Sequence, residues 1–254
     1  MFKSGTILNR LYEKLAQAAK VRRIADLRVG LSYVAVKLDN NAAGIAALVP
    51  DRKSQGCTVL KQSGTYAGAN AEDILGCLVD GPNSLQRAIG LAVANALIEA
   101  SFDKGEDREA TTYFNLQQGE KVAMVGLFSP LVERIRATGA ILTVIEKNPE
   151  RLEILSPGDR QKALEECDVA IITATTLLNN TFEEMINLLG SPRLVAMMGP
   201  STPLMPEIFH DTRITHLGGA VVKDTARVMQ IVSEGGGTPA LRPYLRFVNL
   251  IFNP

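Results

Sequence analysis

The sequence predicts an α+β domain followed by a Rossmann-like α/β domain with a parallel sheet. Two observations carry that reading. From about Gln118 onward, short apolar runs rich in Val and Ile recur at residues 122–125, 142–145, 169–172 and 194–198. Helix-length segments separate the first three, which is the rhythm of a parallel sheet buried on both faces. Before that point, alternating residues over 28–38 and a second run over 44–49 flank the turn-prone Asp39-Asn40-Asn41, the pattern of a hairpin. A chain of 254 residues, 46% hydrophobic, has room for two domains of ordinary size. The polar, Gly105-containing stretch over 102–119 sets the boundary, giving domains over 1–105 and 106–254.

Taken in chain order, Leu8, Leu11, Tyr12, Leu15 and Ala19 recur at helical spacing and predict an amphipathic first helix. The two strands follow. Residues 50–70 then turn polar over a length that suits a functional loop rather than a plain connector. Two helices close this half. The second opens on Asn83, with Gln86 completing a capping box, and carries the stripe Leu85, Ala88, Ile89, Ala92, Val93, Ala96 and Leu97. Its many alanines predict close packing against the strands. In the second half, a fifth strand is expected over 214–217 and a helix over 224–233, which Gly235 ends.

Charge and cysteine usage bound the function. Lys plus Arg and Asp plus Glu each number 27, so no net charge or basic run marks a nucleic-acid partner, and a small-molecule ligand is expected. Cys57, Cys77 and Cys167 form no C-x-x-C pair, which points to a reducing compartment. The first residues carry charges throughout, and no run of about 18 apolar residues could span a bilayer, so a cytoplasmic protein without a membrane partner is expected. Self-association into a homo-oligomer stays open.

In open α/β sheets, ligands bind outside the carboxyl ends of the strands. Here those ends repeat one chemistry. Gly126 ends the first strand, with Ser129 as the next helix's cap before Pro130. Thr173-Ala174-Thr175-Thr176 end the third, and Thr181 with Glu184 forms a capping box beyond it. Gly199-Pro200-Ser201-Thr202 end the fourth, again with a hydroxyl cap, and Gly218 follows the fifth. Glycines, hydroxyls and helix-terminal N–H groups suit a phosphate, carboxylate or other oxyanion. Glu146, twenty positions after Gly126, stands where an acidic residue binds ribose in dinucleotide-binding domains. Yet only one of the three fingerprint glycines is present, and Leu127 and Phe128 would obstruct a pyrophosphate, which argues against NAD. The two histidines lie six apart and match no zinc pair; His216, near a predicted strand end, is the one weak metal candidate.

Gly64-Thr65-Tyr66-Ala67-Gly68, the stretch from Gln86-Arg87-Ala88-Ile89-Gly90 to Asn95-Ala96, Val125-Gly126 to Pro130, and Met198-Gly199-Pro200-Ser201-Thr202-Pro203 together resemble a prokaryotic family described as "putative heavy-metal chelation". Its members lack an established reaction and join an enolase amino-terminal-like α+β domain to a Rossmann-like domain, with a proposed site between them. The resemblance implies an interdomain cleft in which Gly64 and Thr65 face the glycine and hydroxyl edge, and a role near heavy metals. With so few thiols and imidazoles, a metal would be held by oxygen ligands, by His216, or by a small chelator that carries it. The competing reading is an enzyme with a nucleotide-type cofactor, a transferase or oxidoreductase, with Glu146 on a ribose. A third is a scaffold that dimerises through its amino-terminal sheet.

Overall fold

The computed structural model describes residues 5–49, 58–99 and 110–253. Helix α1 (Thr6–Lys20) is followed by a three-stranded antiparallel meander of β1 (Ile24–Val29), β2 (Tyr33–Leu38) and β3 (Ala43–Ala47). The single strand expected over 28–38 is therefore two. The chain turns at Gly30-Leu31-Ser32, where Gly30 lies directly against the second domain: an added Cβ would come 2.1 Å from the Val232 carbonyl oxygen. Two short helices, α2 (Ala71–Leu75) and α3 (Cys77–Asp80), lead into α4 (Ser84–Glu99), which covers one face of the meander. Asn83 caps α4 as expected, its Oδ1 accepting from Gln86 N at 2.9 Å. The reciprocal arm of the box is not formed, since the Gln86 carboxamide oxygen has no partner among the described residues.

The expected boundary near residue 105 lies outside the described residues. Beyond it come α5 (Thr111–Phe114), β4 (Lys121–Val125), α6 (Ser129–Ala137), β5 (Ile141–Ile145), α7 (Pro157–Glu165) and β6 (Val169–Thr173). Then follow α8 (Thr175–Leu178), α9 (Phe182–Leu188), β7 (Leu194–Met198), β8 (His216–Val222), α10 (Thr225–Ser233), α11 (Thr238–Leu241) and β9 (Leu245–Ile251). The sheet order is β5-β4-β6-β7-β8-β9, parallel except for β9. A parallel-sheet domain after an α+β domain is the expected fold.

Two strands differ from expectation. The fifth begins at His216 rather than residue 214 and runs on through Gly218-Gly219 to Val222, because β9 holds it along its whole length. Strand β9 itself was not expected. Its burial does not alternate, since it closes the sheet as an edge strand.

The domains are tied at several points. Glu183 on α9, only 4% exposed, places a carboxylate oxygen 3.4 Å from Ile7 N, at the amino end of α1, where the helix dipole favours negative charge. Arg10 on α1 pairs with both carboxylate oxygens of Asp211. Helix α10 packs on the face of β1 and β2 opposite α4, so the meander is covered on both sides. Among the described residues, no helix is long and apolar enough to cross a membrane.

Candidate functional site

Strand order reverses between β4 and β6, and in such sheets the crevice outside the carboxyl ends at the switch point takes the ligand. The chain there is built for close approach. Gly126 adopts φ 85°, and a Cβ at that position would lie 2.8 Å from Thr173 Cγ2. Thr173 and Thr175 form a hydroxyl pair 3.0 Å apart. Thr176, 3% exposed, instead donates to Thr173 O at 2.7 Å and fixes the turn. One strand further, Gly199 adopts φ 117°, beside the Phe128 ring, and its N–H donates to Gly218 O at 2.9 Å. Thus Gly126, Thr173, Thr175, Gly199 and Gly218 meet at one edge, with half-buried Pro200 after them and exposed Ser129 at the start of α6.

Several hydroxyls do other work than expected. Phe128, not Ser129, is the N-cap of α6, so Ser129 already lies inside the helix and caps nothing. Thr181 does stand at the N-cap of α9, but its hydroxyl donates to Asn179 Oδ1 at 2.6 Å, so no capping box with Glu184 forms. No α-helix follows Ser201-Thr202; a 3₁₀ turn over Pro206–Phe209 comes first. Ser201, 2% exposed, accepts from Ala47 N at 2.7 Å, continuing the hydrogen bonding of edge strand β3 into the second domain. Thr202 is equally buried, and its hydroxyl has no partner among the described residues.

Glu146 is a loop organiser. Its Oε1 accepts from Lys147 N and Asn148 N at 2.7 and 3.1 Å, and its Oε2 from Leu127 N and Arg151 Nη1 at 3.3 and 3.0 Å. A carboxylate has about four acceptor positions. All are taken, which leaves none for ribose hydroxyls, so the nucleotide reading loses the residue it rested on.

The first domain does reach this edge, but through residues the sequence did not single out. Asn95 in α4 donates to Ile45 O at 2.9 Å and Ser201 O at 3.3 Å. Arg87 Nε donates to Leu178 O at 2.7 Å, at the end of α8. Both fall inside stretches quoted for the family resemblance, which was the available signal. Among the described residues Gly64 and Thr65 make no bond to this edge: Thr65 Oγ1 donates to Gln62 O. Their loop returns through Gly68 and Asn70 to Ile24 and Arg23. Ile24 pairs with Leu38, the end of the meander opposite Ala47.

His216 starts β8 instead of ending a strand, and it is fully buried. The rings of Tyr113 and Phe114 meet it edge-on. Its Nε2 lies 2.9 Å from Asn249 Oδ1; an amide oxygen only accepts, so the imidazole carries its proton there. Burial holds the imidazole below its usual pKa, with the Asn249 bond a smaller opposing effect. The unfolded chain therefore takes up a proton first as pH falls. Stability from this site is full above the unfolded value of about 6.5 and is lost as pH drops toward the lowered folded value, by at most about 1.4 kcal/mol per pH unit. Melting of the wild type at pH 7.5 and 5.5 should show that loss, and His216→Phe should reduce it. Equal pH dependence in both would contradict the assignment.

The described residues do not fit a heavy-metal ion as direct ligands. Among them no group of three His, Cys, Asp or Glu side chains stands close enough to hold one. Burial pushes the Cys167 thiol up to about 11 and raises Cys77 as well, whereas soft metals bind thiolates. Cys57 lies outside the described residues.

Fold and site together define a mixed α/β protein in which a six-stranded, mostly parallel sheet turns its carboxyl edge toward a three-stranded antiparallel sheet. The chain belongs to the family described as "putative heavy-metal chelation", which it matches over residues 109–251, with a second match of the same description over 12–98. An uncharacterised protein of Methanocaldococcus jannaschii is 25% identical over 233 residues, 88% of each chain. Crystal structures of two proteins of unknown function from the family share the fold. The Pyrococcus horikoshii protein has a TM-score of 0.82 at 20% identity, covering 96% of this chain and 99% of that one. The Desulfitobacterium hafniense protein gives 0.78 at 22%, covering 96% and 98%.

Proposed function

We propose that the protein binds a small anionic chelator, with its metal already coordinated, at the carboxyl edge of β4, β6 and β7 where the first domain closes on it. The observation that carries this reading is the pair of left-handed glycines, Gly126 and Gly199, flanking the Thr173–Thr175 hydroxyls. Backbone that comes so close, with hydroxyl donors between, suits a carboxylate-bearing ligand. The scarcity of thiolate and imidazole donors among the described residues favours a ligand that supplies its own coordination.

The test is thermal shift of the full chain with nickel chloride, citrate, and nickel citrate. The complex at about 100 times its dissociation constant should stabilise by roughly 2.7 kcal/mol, and the bare ion should do little. Thr175→Val, which removes one hydroxyl at constant shape, should weaken binding about tenfold. Stabilisation by nickel chloride equal to that by the complex, or Thr175→Val binding as tightly as wild type, would sink the proposal.

A further inference from the structure

We infer that a second binding site, for a small organic carboxylate carrying one negative charge, lies between β1–β2 and α10. A cavity of about 330 Å³ opens there, shared by the two domains and lined by Asp26, Arg28 and Lys37 on one side and Thr225, Ala226 and Met229 on the other. That volume sits at the small end of the range for ligand pockets, about 300–1,000 Å³.

The charges decide which ligand fits. Asp26 and Lys37 stand directly opposite each other in the β1–β2 ladder, the arrangement in which opposite charges usually pair. Here the Asp26 carboxylate turns to Arg28 instead, with Oδ2 3.0 Å from Nε and 2.9 Å from Nη2. Among the described residues Lys37 is in no ion pair, so the lining carries two cations and one anion. One surplus positive charge in a partly enclosed space favours a monoanion over a dianion or a neutral molecule. Met229, 7% exposed, and Ala226 offer an apolar floor for a hydrocarbon portion. The Thr225 hydroxyl, whose bond to Asn41 O is a long 3.4 Å, is a ready donor to the carboxylate.

This site is separate from the carboxyl edge. Lys37 pairs with Ala43 at the start of β3, whereas Ala47 at its other end meets Ser201. A ligand held by β2 and α10 would bridge the two domains at a point the edge does not touch.

Isothermal titration of the full chain with butyrate, benzoate and phenylacetate tests this, with phenylacetamide as the uncharged control. At least one carboxylate should bind saturably, and the amide should not. Lys37→Met should weaken that binding about tenfold, while Asp26→Asn, which frees Arg28, should tighten it. Thr175→Val should leave it unchanged. Absence of saturable binding by all three carboxylates, or indifference to Lys37→Met in a protein that melts like wild type, would overturn the inference. Should Lys37→Met not fold, the sign of the Asp26→Asn effect decides: unchanged or weaker binding overturns it.

Discussion

Replacing Gly44 with alanine should destabilise the protein by about 3 kcal/mol or more, a large effect for a single methyl group. Gly44 lies in β3 under helix α4, and a Cβ there would come 2.3 Å from both Ala92 O and Ala96 N and 2.8 Å from Asn95 C. Overpacked cores usually cost about 1–3 kcal/mol because side chains can rotate aside. All three of these atoms are backbone, and the helix carrying them is pinned by buried Ala88, Ala92 and Ala96. Relief requires lifting α4 off the strand, which would also stretch the Asn95 bond to Ile45 O. For a chain of this size a loss of about 3 kcal/mol lowers the melting temperature by roughly 6–12 °C. Gly158→Ala supplies the opposite sign: its position in α7 is open, so the alanine should stabilise slightly through helix propensity. Equal melting temperatures for the two variants would refute the packing account.

The closeness of α4 to the meander was legible, because alanine at every helical turn of a buried stripe permits nothing else. So were β4, β6 and β7, whose apolar runs reflect burial on both faces, and β5, whose similar run lies at the sheet edge and is only partly covered. The breaks came where tertiary contacts override local pattern. Gly218-Gly219 interrupt the apolar signal of β8, yet the strand continues because β9 pairs with it and the side chains of Met198 and Leu204 fill the space beside the glycines. The carboxyl edge was located by its glycines and threonines, but the partners of those hydroxyls were not legible. Ser201 before Pro203 looks like a helix cap from its neighbours alone; its actual partner is Ala47 N, 154 positions away. Likewise an acidic residue after the second strand matches the spacing of a ribose ligand, while the donors that occupy Glu146 come from a loop fold that spacing does not encode.

The Ser201 bond and the Asn95 bridge should behave as one unit. Asn95→Leu removes the donor to both Ile45 O and Ser201 O, and leaving part-buried carbonyls short of a partner costs about 1–3 kcal/mol. Ser201→Ala removes the acceptor of Ala47 N and should cost a similar amount, far more than a solvent-facing hydroxyl would. Both changes loosen the same contact between β3 and the loop after β7. The double variant should therefore lose less than the two single losses added together, with a coupling of at least about 0.5 kcal/mol by denaturant titration. Strict additivity would show that the two bonds act independently and that the junction is not a unit. The distinction matters because Ser201 follows Gly199 by two residues. If the coupling is present, the position of the glycine edge is set from the first domain, and a binding defect in Asn95→Leu would be the consequence.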